Sequence, residues 1–144
     1  MTNPEITISL TAEFYDLDPM NIVWHGNYVK YFEAARCAFL DKIDFSYAHM
    51  AENQYAFPVV KMNVKYIKPV RFRQKIFVTA RLVDAENFLR FKFFVKDENG
   101  LLLTTGDVSQ ICIDLRSRET LFVLPQVFRD HVNRAFPIEK KVES

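Results

Sequence analysis

The chain begins with an alternation of apolar and polar positions that is typical of a β-strand. Ile6, Ile8 and Leu10 are separated by polar residues, so their side chains would share one face of an extended segment. Ala12 and Phe14 continue this face less regularly. The pattern therefore predicts a strand from Ile6 to Phe14, followed by a loop from about Asp16 to Gly26.

A change of period marks the next element. From Tyr28 onward, apolar side chains return at steps of three and four, while charged residues occupy much of the remaining surface. The apolar positions are Tyr28, Tyr31, Phe32, Ala35, Phe39, Leu40 and Ile43. This spacing predicts a long amphipathic helix with Asn27 as its N-cap, because an Asn side-chain oxygen can accept an unpaired backbone N–H. A shorter helix is predicted from Ser46 to Glu52.

The alternating pattern returns in the second half of the chain. Val60, Met62, Val64 and Tyr66 would share one face of a strand that Pro69 ends. Three longer strands are predicted after it, at Lys75 to Ala85, Phe88 to Lys96 and Leu101 to Leu115.

Polar segments between these strands carry residues that hairpin turns prefer. Asp84 to Asn87 predicts one turn, and Asp97 to Gly100, with its Asn-Gly pair, predicts a type I′ turn. After Leu124, residues Gln126 to Phe136 predict a short terminal helix with Pro125 near its start.

The order of elements indicates an α+β fold. One long aromatic-rich helix cannot bury its apolar side alone, and an antiparallel β-sheet of about five strands could wrap around it. With 144 residues, the chain has the length of one domain, and we predict a single domain over residues 1–144.

Composition narrows the possible functions. Hydrophobic residues make up 49% of the chain, which is enough to form a core without metals or disulfides. The formal net charge of +1 argues against a nucleic-acid or membrane-surface role that depends on bulk charge. Cys37 and Cys112 lack metal or disulfide spacing and predict buried free thiols. Without a signal-like N-terminus or a long apolar run, we expect a cytoplasmic protein.

Candidate chemistry is concentrated in the loop before the long helix. Asp18 and His25 lie seven residues apart there. A helix start offers unpaired N–H groups and partial positive charge, which can hold the oxyanion of an acyl transfer. A carboxylate nearby could attack the carbonyl or activate water. Alternatively, Asp18 is a turn residue that binds its own backbone, and His25 is solvated or caps the helix.

The segment from Asp16 to Arg36, which reads DLDPMNIVWHGNYVKYFEAAR, resembles the signature of the 4-hydroxybenzoyl-CoA thioesterase family. It is especially similar to the bacterial acyl-CoA thioester hydrolase branch linked to the Tol–Pal system. Residues 66–70 (YIKPV) are a second point of similarity. The resemblance implies the hot-dog fold, in which an antiparallel sheet wraps a long helix.

The same resemblance implies roles for individual residues. Asp18 would be the nucleophile or general base, and the backbone N–H of His25 would bind the thioester oxygen while its side chain orients Asp18, water or substrate. Tyr28 matches a family position and would contact substrate, although its place in the apolar stripe also suggests a core residue. Glu33 would pair with Arg36, and it stays a reserve catalytic candidate.

The resemblance further implies an enzyme without a metal or organic cofactor that assembles as a homodimer or homotetramer. The strand from Val60 to Lys65 of a neighbouring subunit would complete each pocket, and we assign substrate contacts to Lys61 and Asn63. One departure is Asn21, at a turn where the family commonly has Gly. Asn tolerates positive φ, so the turn can be kept.

A basic cluster surrounds Pro69. It consists of Lys65, Lys68, Arg71, Arg73 and Lys75. Such groups can bind the phosphates of CoA, and Lys68, Arg71 and Arg73 are the residues we assign to this role. Alternatively, these basic residues belong to a solvated connection between two strands and bind no phosphate. His49 and His131 have no metal-like spacing and receive no role.

The sequence thus predicts hydrolysis of acyl-CoA, or of acyl carrier protein thioesters, to a free acid and a thiol. Two other functions are compatible with the same fold: a non-catalytic acyl-CoA-binding protein, and a hydratase or dehydratase acting on acyl thioesters. The sequence leaves open the acyl chain preference and the choice between a covalent anhydride and a general-base route.

Overall fold

The main sheet contains five antiparallel strands in the order β1-β4-β5-β6-β3. The computed structural model describes residues 3–137. The strands are β1 (Glu5–Thr11), β3 (Val59–Tyr66), β4 (Lys75–Asp84), β5 (Leu89–Lys96) and β6 (Leu102–Gln110). Alternate side chains on β4 and β5 are buried, as the period of two predicts.

The long helix α1 (Tyr28–Lys42) packs across this sheet. Its buried side carries the predicted aromatic stripe. Phe32 stacks on Phe93 of β5, with ring centroids 4.7 Å apart, and Phe39 meets Phe91 edge-on at 5.0 Å. The predicted α+β hot-dog architecture is therefore confirmed, because one long helix packs against a five-stranded antiparallel sheet.

Close approach of the helix to the sheet depends on Gly106 in β6. A Cβ atom at this position would lie 2.6 Å from the ring of Phe32, which is 1% exposed and stacked on Phe93. Since Phe32 is enclosed, it cannot swing away without disturbing the core. Gly106 is the sheet residue that lets an aromatic ring lie flat against the backbone.

We expect Gly106→Ala to lower the free energy of unfolding by about 1–3 kcal/mol through overpacking. The measurement is urea unfolding followed by circular dichroism. Ser109→Ala, on the other face of the same strand, serves as the control and should change stability by less than about 1 kcal/mol. An unchanged midpoint for Gly106→Ala would show that Phe32 has room to move.

The predicted strand from Leu101 to Leu115 is wrong in its length. β6 ends at Gln110, and the chain continues as β7 (Cys112–Asp114), which lies between β2 (Tyr55–Ala56) and β8 (Glu119–Leu121) in a second sheet. At the break, Ile111 N–H donates to the Pro58 carbonyl and the Gln110 amide donates to the Phe57 carbonyl. These contacts redirect the backbone, and alternation alone does not reveal them.

The smaller elements cover one end of the fold. They are α2 (Tyr47–Glu52), β2 (Tyr55–Ala56), β8 (Glu119–Leu121) and α3 (Gln126–Ala135). Both short helices lie where the sequence predicts them. Phe128 of α3 is buried and meets Phe45 edge-on at 5.5 Å, which fixes the terminal helix to the core.

The hairpin at Asp97–Gly100 forms, but it is not a type I′ turn. Only Gly100 has positive φ, at 81°, whereas a type I′ turn requires it at both central residues. The Asp97 side chain accepts the backbone N–H groups of Asn99 and Leu101. This local bonding favours a longer loop with Gly100 alone in the left-handed region.

Both cysteines are free, as predicted, although their burial differs. Cys112 is buried, which raises the pKa of its thiol to about 11. Cys37 on α1 is only partly buried, and burial raises its thiol pKa as well. Among residues 3–137, no helix is both long enough and apolar enough to cross a membrane.

Candidate active site

The loop between β1 and α1 folds back on itself and forms a tight turn at Asp18. Asn21 N–H donates to the Asp18 carbonyl at 3.0 Å, and Asp18 N–H donates to the Ile22 carbonyl at 2.9 Å. Asn21 has a φ of 62°. Asn21 therefore adopts the left-handed conformation that the sequence suggested. The turn is kept, although the family commonly has Gly at this position.

The two carboxylate oxygens of Asp18 have different environments. Its Oδ1 accepts the backbone N–H of Met20 at 2.8 Å, so the Asp–Pro turn expected as the alternative is present. Within residues 3–137, no hydrogen bond reaches Oδ2, and the side chain is only partly buried. The turn bond therefore fixes one oxygen and leaves the other available for chemistry.

Asp16, two residues earlier, is a buried anchor that the sequence did not identify. Its Oδ2 accepts the backbone N–H of Glu13 at 2.9 Å and the hydroxyl of Tyr31 at 3.1 Å. Its carbonyl accepts the backbone N–H of Trp24 and the side-chain amide of Asn27. The two carboxylates around Leu17 therefore differ in role, because Asp16 joins the loop to α1 while Asp18 stays at the surface of a pocket.

Asn27 occupies the N-cap position of α1, as predicted, but its side chain does not form the predicted cap bond. A short 3-10 helix (His25–Asn27) leads directly into α1, and Asn27 has helical backbone angles without a side-chain cap bond. Its amide donates instead to the Asp16 carbonyl at 2.8 Å. The helical path therefore begins at His25, and Asn27 serves to hold the loop against it.

The start of this helical path offers backbone donors. Among the hydrogen bonds formed within residues 3–137, none uses the backbone N–H of His25 or of Gly26 as donor. His25 is exposed, and the indole of Trp24 covers Gly26 so closely that a Cβ there would lie 2.2 Å from it. Free N–H groups at a helix start attract a developing negative charge.

A pocket of about 350 Å³ opens at this point. The loop contributes Asp18, Met20, Ile22, Val23 and His25, and the remaining walls are Tyr28, Tyr66, Ile67, Lys68 and Pro69. Its lining is mainly apolar, with one carboxylate, one imidazole and one ammonium group. Such a combination suits a hydrophobic substrate with a single reactive polar centre.

Two tyrosines form the inner wall of the pocket. Tyr66 donates its hydroxyl to the His25 carbonyl at 2.8 Å, and its ring meets that of Tyr28 edge-on at 5.1 Å. The Tyr28 hydroxyl accepts the backbone N–H of Val70, and burial raises the pKa of this phenol. Tyr28 is thus both a core residue and a lining residue, whereas Tyr66 was not predicted at the site.

The structure brings together four of the eight site residues in the sequence prediction. Asp18, His25, Tyr28 and Lys68 line the same pocket. Arg71 lines a neighbouring hollow of about 440 Å³ that shares Lys68 and Pro69 with it.

The other three residues lie elsewhere within the chain. Arg73 has positive φ and its guanidinium lies over the ring of Phe72. Lys61 and Asn63 are exposed on β3 and alternate with Met62 and Val64, which face the core. Their predicted contacts with substrate would therefore require a second subunit.

Glu33, the reserve catalytic candidate, lies outside the pocket. It pairs with the guanidinium of Arg36, as the sequence predicted, and Arg36 also donates to the Tyr47 hydroxyl at 2.9 Å. Arg36 is 3% exposed. Because a buried guanidinium requires a charge partner, this arrangement supports the structural role of Glu33.

The remaining histidines make local structural contacts. His49 Nδ1 lies 3.0 Å from the Ser46 hydroxyl at the start of α2, and His131 Nδ1 lies 2.9 Å from the Ile43 carbonyl. In the part of the chain that the structure describes, no three His, Cys, Asp or Glu side chains converge as metal ligands would.

The Tyr31 contact predicts a dependence of stability on pH. Burial, reinforced by the charge of Asp16, raises the pKa of the Tyr31 phenol above its usual range. The folded chain therefore holds this proton more tightly than the unfolded chain. The resulting stabilisation is complete below about pH 10 and is lost as pH rises above it.

We expect the free energy of unfolding in urea to fall between about pH 9.5 and pH 11.5, and Tyr31→Phe to reduce that fall. Equal slopes for wild type and Tyr31→Phe would contradict this account of the Tyr31 environment.

Comparison with known proteins places this architecture in a family. A family model described as the thioesterase-like superfamily matches residues 12–143. The acyl-CoA thioester hydrolase YbgC of Escherichia coli is 28% identical over 102 residues, covering 70% of this chain and 76% of YbgC. The long-chain acyl-CoA thioesterase FadM of Escherichia coli is 25% identical over 109 residues, covering 74% and 82%.

A solved structure agrees with these relatives. The crystal structure of a DHNA-CoA thioesterase from Staphylococcus aureus superposes with a TM-score of 0.75 at 28% identity, covering 92% of this chain and 84% of that one. The chain therefore belongs to the thioesterase-like superfamily. Both the resemblance to a hot-dog thioesterase family and the prediction of a thioester hydrolase are confirmed.

Proposed function

We propose that this protein hydrolyses acyl-CoA thioesters to a free acid and CoA, with Asp18 as the reacting carboxylate. The observation that carries the proposal is the shared pocket of Asp18 and His25 at a helix start. One carboxylate oxygen of Asp18 is free there, and two backbone N–H groups have no acceptor within the described residues. The names of the relatives YbgC and FadM support acyl-CoA as the substrate.

The reaction needs a carbonyl that is polarised on one side and attacked from another. The backbone N–H of His25 would donate to the thioester oxygen and stabilise the oxyanion. Asp18 Oδ2 could bond to the carbonyl carbon, expel the CoA thiolate and leave an anhydride that water hydrolyses. In the other route, Asp18 takes a proton from water, the water oxygen attacks, and the proton passes to the departing thiolate. The His25 imidazole would orient Asp18, water or substrate in either case.

Substrate binding follows from the lining of the two adjoining hollows. Met20, Ile22 and Ile67 provide an apolar surface for the acyl group or the pantetheine arm. Lys68 borders both hollows and Arg71 lines the second, which supports a role for these two cations in binding CoA phosphates. Acyl carrier protein thioesters present the same pantetheine arm and remain an alternative substrate in this proposal.

We also propose that the protein acts as a single hot-dog domain in a homodimer or homotetramer. β3 pairs only with β6 within residues 3–137, so its other edge is open, and Val60 on it is 52% exposed. An open edge with apolar side chains favours strand pairing with a second copy. Such pairing would bring the Lys61 and Asn63 of one subunit toward the pocket of another.

The test is turnover of a panel of short, long and aromatic acyl-CoAs, measured by thiol release and mass spectrometry of the acid. A thioesterase gives equal amounts of thiol and free acid. Tight binding without thiol release would indicate a non-catalytic binding protein. A change of acyl mass by one water without free thiol would indicate a hydratase or dehydratase.

A further inference from the structure

Tyr66 connects the end of β3 to the start of the helical path. Its hydroxyl donates to the backbone carbonyl of His25 at 2.8 Å, across 41 positions of sequence. The Tyr66 ring is held between two other rings, edge-on to Tyr28 at 5.1 Å and edge-on to the His25 imidazole at 6.4 Å. These contacts fix the direction from which the hydroxyl reaches the carbonyl.

The accepting carbonyl belongs to the peptide unit that joins His25 to Gly26. A peptide unit is planar, and in its trans form the C=O and the N–H point in opposite directions. No cis peptide bond occurs among the described residues. A hydrogen bond that fixes the His25 carbonyl therefore also fixes the direction of the Gly26 N–H. It polarises the amide as well, which makes that N–H a stronger donor.

We propose that Tyr66 is a positioning residue of the thioesterase site, one that orients and polarises the His25–Gly26 peptide through the carbonyl of His25. This inference rests on the proposed function and deepens it. Tyr66 need not touch the reacting atoms, because it acts through the backbone of the helix start. The Gly26 N–H then joins the His25 N–H as a donor for the thioester oxygen.

The chemistry of Tyr66 suits a permanent donor. Burial raises the pKa of its phenol above the ordinary value, so the hydroxyl keeps its proton throughout the neutral range. The contribution of Tyr66 should consequently be independent of pH across that range.

The kinetic arm of the test compares Tyr66→Phe with wild type and with Tyr47→Phe. Tyr66→Phe keeps the ring and loses only the hydroxyl, and we expect kcat to fall about tenfold with KM within about twofold. The ratio to wild type should stay constant from pH 6 to pH 9. Tyr47→Phe also loses a tyrosine hydrogen bond, to Arg36 outside the pocket, and should keep wild-type kcat.

A second readout examines the peptide without any substrate. His25–Gly26 is the only His-Gly pair in the sequence. Protein labelled with ¹³C at the His carbonyl and ¹⁵N at Gly therefore gives one carbonyl-selected amide signal, from this peptide alone. Tyr66→Phe should shift both the ¹³C and the ¹⁵N resonance, whereas Tyr47→Phe should leave them in place.

The outcomes separate the two levels of the proposal. Reduced kcat with unchanged KM and a displaced amide signal supports Tyr66 as a positioning residue. Wild-type kcat in Tyr66→Phe, or an unmoved signal, overturns that role while acyl-CoA turnover by the wild type still stands. A wild type that hydrolyses none of the acyl-CoAs overturns the proposed function, and the role of Tyr66 in it falls as well.

Discussion

Replacing Asp18 by Asn is expected to lower kcat for acyl-CoA hydrolysis about a thousandfold while the protein stays folded. The amide oxygen of Asn can still accept the backbone N–H of Met20, which Asp18 Oδ1 accepts in the structure. The turn should therefore survive. What disappears is the negative charge, and with it the ability to attack the carbonyl or to take a proton from water.

The measurement is thiol release under saturating substrate, with unfolding in urea to confirm that stability is retained. Asp84→Asn provides a closely matched control. Asp84 Oδ1 accepts the N–H of Glu86, two residues ahead, at 2.9 Å, in the same manner as Asp18. Asp84 is outside the pocket, so its variant should keep full activity. Full activity of a folded Asp18→Asn protein would remove Asp18 from the mechanism.

Single-turnover hydrolysis in ¹⁸O water would then separate the two chemical routes. If Asp18 forms an anhydride and water attacks the Asp carbonyl, the heavy oxygen enters the Asp18 side chain. If Asp18 activates water directly, the label appears only in the released acid.

Replacing Asp16 by Ala is expected to act on stability, lowering the free energy of unfolding by about 2–4 kcal/mol. The substitution removes the oxygen that accepts the Glu13 N–H and the Tyr31 hydroxyl. Tyr31 is 6% exposed, so water cannot easily replace the lost acceptor. A looser loop should lower activity as well, since Asp18 and His25 both depend on its path.

Urea unfolding of three variants tests this interpretation. Asp16→Asn keeps a carbonyl oxygen and should lose less stability than Asp16→Ala. Asp41→Ala, an exposed position on α1, should stay within about 0.5 kcal/mol of wild type. The idea that Asp16 anchors the loop would be wrong if Asp16→Ala matched Asp41→Ala in stability.

Much of the fold could be predicted from periodicity because burial is one-sided in most elements. The stripe of α1 and the alternation of β4 and β5 follow from a helix that packs on a sheet. The prediction failed where side chains bind the backbone. The Asp97 carboxylate favours a longer turn, and the Gln110 amide marks the end of β6. Alternation of hydrophobicity carries no information on such bonds.

The pocket was predictable in the segment where chemistry and family pattern coincide, and at Lys68 in the basic cluster around Pro69. Asp18, His25 and Tyr28 lie together in sequence and in space. Tyr66 comes from a strand far along the chain, and its bond to the His25 carbonyl leaves no trace in local spacing. Asp16 and Asp18 look equivalent in the sequence, and only the folded chain shows that Asp16 is buried and accepts the Tyr31 hydroxyl.

The long-range tie between Tyr66 and His25 also has a consequence for how the protein folds. The loop is held by segments that follow it at a distance: Val23 N–H donates to the Val70 carbonyl, and β1 pairs with β4, so that Arg81 reaches Glu5 across 76 positions. Contacts between distant parts of a chain form slowly, because a large loop must close before any of them stabilises it. We therefore expect the loop to leave the ribosome during synthesis with its site residues unplaced, because Tyr66 and Val70, which hold it in the folded protein, come much later in the chain.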